Sequence, residues 1–167
     1  LRADIWYGFH ILLIPFASSN YLLLGMKVAG VFVTASFLII FFLTLKRLRI
    51  PYAPLWIFLF IFLTPDIYYR LTMLRPHVLT LGISMYLFYA LTRDKNRLVF
   101  FLSALLAFIH LAFAWIPFLF AFAVAAARLI LRRTLFPIRF LGTVFGGVVF
   151  GALLRPHPIA AIKIAYV

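Results

Sequence analysis

The chain has 167 residues and a formal net charge of +13 at pH 7; 67% of its residues are apolar and only 11% are charged. A soluble domain is roughly half apolar and a quarter charged, and a body of this size has too little interior to hide two-thirds of its residues from water. A disordered chain would be poor in apolar residues, so both soluble classes are excluded and an integral membrane protein is expected.

The sequence opens with Leu1 rather than Met and stops at Val167, just past an apolar run. It lacks the basic, apolar and small-residue order of a signal peptide, and we expect it to be a piece of a longer polypeptide. Residues 5–17 are apolar but too short to span comfortably, and Trp6 and Tyr7 suit a membrane interface. They predict an interfacial helix whose start is capped by Asp4. Residues 21–45 are long enough to cross with some tilt, with Lys27 near one end where its stem can snorkel. Two further runs follow, 54–69 and 78–92. Residues 98–127 then form a long apolar stretch with Pro117 inside it, and 140–154 form a run rich in glycine (Gly142, Gly146, Gly147 and Gly151). Small residues of this kind let helix backbones approach closely. Runs shorter than about twenty residues favour tilted, broken or re-entrant helices inside a bundle.

Charge sets the orientation. Lys46, Arg47 and Arg49 form one basic cluster, Arg93, Lys95 and Arg97 a second, and Arg128, Arg132, Arg133 and Arg139 a third. Cytoplasmic loops carry the Lys/Arg excess. Two spans between the first and second clusters keep both on one side. Between the second and third, a hairpin of two short segments (98–111 and 113–127, hinged near His110 to Pro117) does the same. One long tilted helix with an inverted bias is the competing reading. The expected fold is all-α: a single transmembrane domain over 1–167, a polytopic bundle of about six membrane segments plus the short interfacial helix.

This topology sends Asp4, His10, Asp66, Arg70, Arg75, His77, Arg155 and His157 to the extracytoplasmic side. The chain has no Cys, which removes thiolate metal sites and disulfides, and its only acids are Asp4, Asp66 and Asp94. Asp4 beside Trp6, Tyr7 and His10 has the placement of a general base at an interface. From the residues alone, a plain helix cap with His10 among headgroups outweighs that reading. The segment Thr64-Pro65-Asp66-Ile67-Tyr68-Tyr69-Arg70, running on to Arg75-Pro76-His77, packs two arginines, an acid, tyrosines and a histidine into a short outer loop. Charge at mid-bilayer costs about 2.5–3.5 kcal/mol per residue. Arginines gathered there point to a phosphate pocket, with Asp66 and Tyr69 in support. An Asp66–Arg70 pair at i, i+4 on a helix end balances that reading. The tripeptide recurs as Arg155-Pro156-His157, with no wider similarity around it. Two such clusters facing one cavity would grip a diphosphate or sugar phosphate; coincidence is the alternative. P-loop, HExxH and GxSxG motifs are missing. The lone His110 reads as structural, and the positive charge as topology and anionic lipid rather than nucleic acid.

The run Asp4-Ile5-Trp6-Tyr7-Gly8-Phe9-His10, followed by an interfacial helix and a long span, resembles the first outer loop of type C (GT-C) glycosyltransferases. The stretch from Arg70 to His77, continuing Val78-Leu79-Thr80-Leu81, is similar to the Arg-Pro stretch that opens a later span in many bacterial members, and the run 98–127 with His110 looks like their mid-membrane region. The resemblance covers most of the chain in topology and rests on two short motifs. It implies a multi-pass bacterial inner-membrane enzyme that takes a sugar from a polyprenyl-phosphate donor to an acceptor hydroxyl on the extracytoplasmic face. Asp4 would be the catalytic base. On that reading Arg70 and Arg75 hold the donor phosphate, His10 and His77 position sugar or phosphate oxygens, and Arg155 and His157 serve the same cavity. The family loop often has a paired acid; here Asp4 stands alone, so a divalent metal is left open and unindicated. The resemblance also implies a span before Asp4 and a C-terminal region. Expected partners are the bilayer, anionic lipids and the lipid-linked sugar. The alternatives are a non-enzymatic subunit of a larger membrane complex and a transporter fragment with polar groups at mid-depth.

Overall fold

The computed structural model of the chain describes residues 4–18, 21–63, 65–132 and 138–166. Thr64 and Arg133, named above, lie outside them, as do the side chains of Tyr68 and Arg132. Helices make up the described chain, and no strand occurs among those residues. In order they are α1 (Tyr7–Ala17), α2 (Leu22–Arg47), α3 (Ala53–Phe62), α4 (Pro65–Thr72), α5 (Pro76–Thr92), α6 (Asn96–Ile109), a 3-10 turn (Leu111–Phe113), α7 (Ile116–Arg132), α8 (Ile138–Leu153) and α9 (Pro158–Tyr166).

Two helical stretches are long and apolar enough to cross a membrane, Leu22–Arg47 and Leu111–Leu131. A third crossing results if Arg139–Leu153 and Pro158–Ala165, bent by 111° at their break, act as one broken span. The prolines at 156 and 158 account for that bend, since neither can continue the backbone ladder. Proline also divides the run expected over 54–69. It falls into α3, ending at Phe62, and the short α4, which opens on Pro65; the first position of a helix is where a missing N–H costs nothing. Residues 98–127 fall in two helices, α6 and α7, with a break at His110 and the 3-10 turn between them. Helix α9 has no counterpart in the expected segments, and α1 begins at Tyr7 rather than at Asp4.

Cα packing divides the chain into two compact units, residues 9–86 and residues 1–8 with 87–167. In the unit of residues 9–86, α2 buries a stripe at four-residue spacing: Gly25, Ala29, Val33, Phe37, Phe41 and Leu45. Phe37 packs tilted and Phe41 edge-on against Phe60 of α3, with centroids 5.6 and 5.3 Å away. Thr34 donates to the Leu71 carbonyl of α4 at 2.5 Å. Helix α2 has Lys46 and Arg47 in its last turn, where cations offset the helix dipole. Its C-terminus closes in a Schellman motif, with Ile50 N–H on Leu45 O, Arg49 N–H on Lys46 O, and Arg49 left-handed at φ 61°.

In the other unit, α6 and α8 pack closely along a glycine seam. A Cβ added at Gly147 would fall 2.5 Å from the Phe100 carbonyl oxygen, and one at Gly151 would collide with the Ala104 carbonyl. Their four-residue spacing is the small-xxx-small pattern of close helix crossings. Ala107, Leu111, Ala114, Ala152 and Ala161 form a buried cluster at one end of this seam. Large apolar side chains such as Phe101, Phe122, Leu131, Phe145 and Leu153 stay exposed, as a lipid-facing surface requires.

Candidate functional site

Each unit holds a cluster of charged residues. In the unit of residues 9–86, α4 sets Asp66 and Arg70 one turn apart. Arg70 Nε donates to Asp66 Oδ2 at 2.6 Å, and both side chains are about two-thirds exposed. The acid lies in the first turn and the arginine in the last, so both also suit the helix dipole. The hydrogen bond and the nearby carboxylate push the Arg70 pKa further up. After α4 the chain turns sharply, with Arg75 N–H on Met73 O at 2.9 Å, and Pro76 opens α5. That turn brings Arg70, Arg75 and His77 together. With Met73 and Val78 they line a pocket of about 120 Å³. A phosphoryl-sized group fits in that space. His77 precedes the apolar run that starts at Val78. Its pKa is pushed below the ordinary imidazole value near 6.5, first by partial burial and then by the positive charges of Arg75 and Arg70. The pocket therefore has positive walls and a neutral imidazole. Tyr69 is exposed and lends its carbonyl to Thr72 Oγ1 at 2.8 Å. His10 is exposed on α1, beside the Phe9 ring.

The other unit holds Asp4, His110, Arg155 and His157. Asp4 Oδ1 accepts the Trp6 N–H at 2.8 Å, tying the chain just ahead of α1. Arg155, in the break between α8 and α9, is 3% exposed. Its Nη2 donates to Ile5 O at 2.7 Å and to Phe108 O at 3.1 Å, while Nε reaches Phe108 O at 3.3 Å. Its Nη1 is buried and donates to no described residue. The Asp4 carboxylate attracts the same guanidinium. Leu111 N–H donates to Ile5 O at 3.2 Å, so the segment around Asp4 is fastened to the α6–α7 joint from two directions. His110 is buried at that joint against Trp6 and, edge-on, Phe113. His157, left-handed at φ 53°, is exposed and lines a separate pocket of about 390 Å³ with Lys163.

The two Arg-Pro-His tripeptides thus serve different purposes. Arg75 is exposed at a pocket, whereas Arg155 is buried on backbone carbonyls. Asp4 belongs to one unit and Arg70 and Arg75 to the other. The link from the Ile5 backbone to Arg155 was not legible in the sequence, because the partners lie 150 residues apart and both acceptors of the guanidinium, Ile5 O and Phe108 O, are main-chain carbonyls. Among the described residues no three His, Asp or Glu side chains gather closely enough to hold a metal ion. Comparison with protein-family models, curated proteins and solved structures finds no match to this chain.

Proposed function

We propose that the chain is an integral-membrane glycosyltransferase of the GT-C type, moving a sugar from a polyprenyl-phosphate donor to an acceptor hydroxyl on the extracytoplasmic face of a bacterial inner membrane. The supporting observation is the pocket shared by Arg70, Arg75 and His77, whose size and charge suit a phosphoryl group. On this reading about six apolar segments cross or enter the bilayer, the short ones tilted or re-entrant. The acceptor O–H gives its proton to the Asp4 carboxylate. Its oxygen attacks the anomeric carbon with inversion, and the carbon–oxygen bond to the donor phosphate breaks, the electron pair leaving with the phosphate. Arg70 and Arg75 hold the charge that grows on that leaving group, and neutral His77 donates a hydrogen bond to a phosphate or sugar oxygen. Arg155 acts through position, holding the Asp4 segment against the α6–α7 joint.

Two substitutions test the assignment with the full chain in proteoliposomes. Asp4→Asn keeps an acceptor for the Trp6 N–H, so folding survives; kcat falls by about 10²–10⁴ with the donor KM little changed. Arg75→Gln raises the donor KM. Normal turnover in Asp4→Asn refutes the base. A second reading, a structural subunit of a larger membrane complex, draws on the Gly147–Gly151 seam and the exposed apolar faces. It predicts that both substitutions leave assembly and activity of the complex intact.

A further inference from the structure

A cleft distinct from both charged clusters lies between the C-terminal ends of α5 and α7. It measures about 420 Å³ and is lined by Phe88 and Thr92 on one side, by Ala123, Val124, Ala127 and Leu131 on the other, and by Asp94 and Arg128. That volume falls within the ~300–1,000 Å³ of small-molecule sites. The cleft has two chemically different parts. Along the helices its walls are apolar, and three alanine- or valine-sized side chains on α7 keep it open beside the larger rings of Phe88 and Phe120, which meet edge to face at 5.6 Å. At its end stands Arg128, one-fifth exposed, with Nη1 on Asp94 Oδ1 at 2.6 Å and Nη2 toward the Leu91 and Thr92 carbonyls at 3.2 and 3.4 Å. Arg128 thereby neutralises the carbonyl end of α5. Asp94 is left-handed at φ 57°, so the turn after α5 is tight. On either side of it Arg93, Lys95 and Arg97 are all exposed. Asp94 and Arg128 line the cleft, and with Arg93, Lys95 and Arg97 in the same turn four cations stand against one acid, an excess of three positive charges.

We infer that this cleft binds one anionic phospholipid of the bilayer, an acyl chain between α5 and α7 and the headgroup phosphate among Arg93, Lys95, Arg97 and Arg128. Charge complementarity selects the occupant. A basic rim beside an apolar slot at a helix end is the arrangement that favours acidic over zwitterionic headgroups. A free phosphate would use the rim and leave the slot unexplained. The inference is independent of the transferase reading.

The test uses the full chain in neutral detergent, stripped of lipid and equilibrated with equal phosphatidylglycerol and phosphatidylcholine, with bound lipid counted by native mass spectrometry. One phosphatidylglycerol per chain is expected, preferred about tenfold or more over phosphatidylcholine. The triple substitution Arg93→Gln, Lys95→Gln and Arg97→Gln abolishes the preference. Ala127→Trp fills the slot without changing charge and abolishes retention; Ala123→Phe, one turn earlier on α7, repeats this if Ala127→Trp loses helical content. Equal binding of the two lipids overturns the inference. So does unchanged phosphatidylglycerol retention in the slot-filling variants, which would mean diffuse surface attraction, and so does displacement by soluble glycerol phosphate, which would mean an anion site alone.

Discussion

Three basic side chains illustrate how placement decides what a charge does. Arg70 is paired with Asp66 in solvent, and exposed pairs contribute little to stability. Arg155 is buried on the carbonyls of Ile5 and Phe108. Removing it takes the guanidinium donors from the Phe108 and Ile5 carbonyls and leaves only the Leu111 N–H on Ile5 O, so Arg155→Ala should lower unfolding free energy by about 2–4 kcal/mol in detergent, while Arg70→Ala leaves the unfolding midpoint where it was. His77 titrates below its unfolded value because burial and two guanidiniums disfavour its cation. The unfolded chain therefore binds the extra proton first. The contribution of His77 is fully present above pH ~6.5 and is lost as pH falls through the lower folded value. His77→Gln should flatten that acid limb of the stability curve. A phosphate-bearing donor analogue adds negative charge beside the ring and should move its NMR titration upward; an unmoved titration would place the phosphate elsewhere. The Arg-rich stretch before Val78 was legible because its residues are close in sequence and share one turn. The Arg155 contacts, reaching 47 and 150 residues away, leave no local pattern to read.

At the scale of elements, the long apolar run that forms α2 followed from hydropathy, and a break near His110 within residues 98–127 followed from charge parity. The break within 54–69 did not, because α3 and α4 are both too short to show a period of their own. The glycines of 140–154 were legible as packing residues, but sequence does not tell which face each one uses. Gly147 and Gly151 meet α6, while a Cβ at Gly142 meets open space. This separates two substitutions on one helix. Gly151→Leu forces α8 away from the Ala104 backbone and should destabilise by about 1–3 kcal/mol. Gly142→Ala removes only backbone freedom and should stabilise by up to about 1 kcal/mol. Thermal unfolding of the pair in one detergent reads both signs at once. Equal effects would mean that α6 and α8 do not meet along this seam.

For the whole molecule, the strongest constraint is the imbalance of charge: sixteen Lys and Arg against three acids. Ten of those cations sit in three sequence clusters, and those among the described residues lie near helix ends or turns. By length and apolarity alone, two helical stretches among the described residues could cross a membrane, or three with the bent α8–α9 pair. Charge parity asks for more, since α5, α6 and the shorter helices must return the chain so that all three clusters share one side. The absence of cysteine from these 167 residues makes this directly measurable, because a single introduced thiol is the only one within them. Cysteines at Arg49, Lys95 and Arg139 should react with a membrane-impermeant maleimide only after the cytoplasmic face is opened. Cysteines at Asp66 and His157 should react in intact cells. Both groups sit at exposed positions, so protection cannot be ascribed to burial within the protein. The same experiment bears on the enzyme, since proton acceptor and phosphate pocket must open to one side of the bilayer. A thiol replacing Ser18, close after α1, should therefore label from the same face as one replacing Tyr69. Opposite faces would leave the basic turns as topology signals but remove Asp4 and Arg75 from a common reaction.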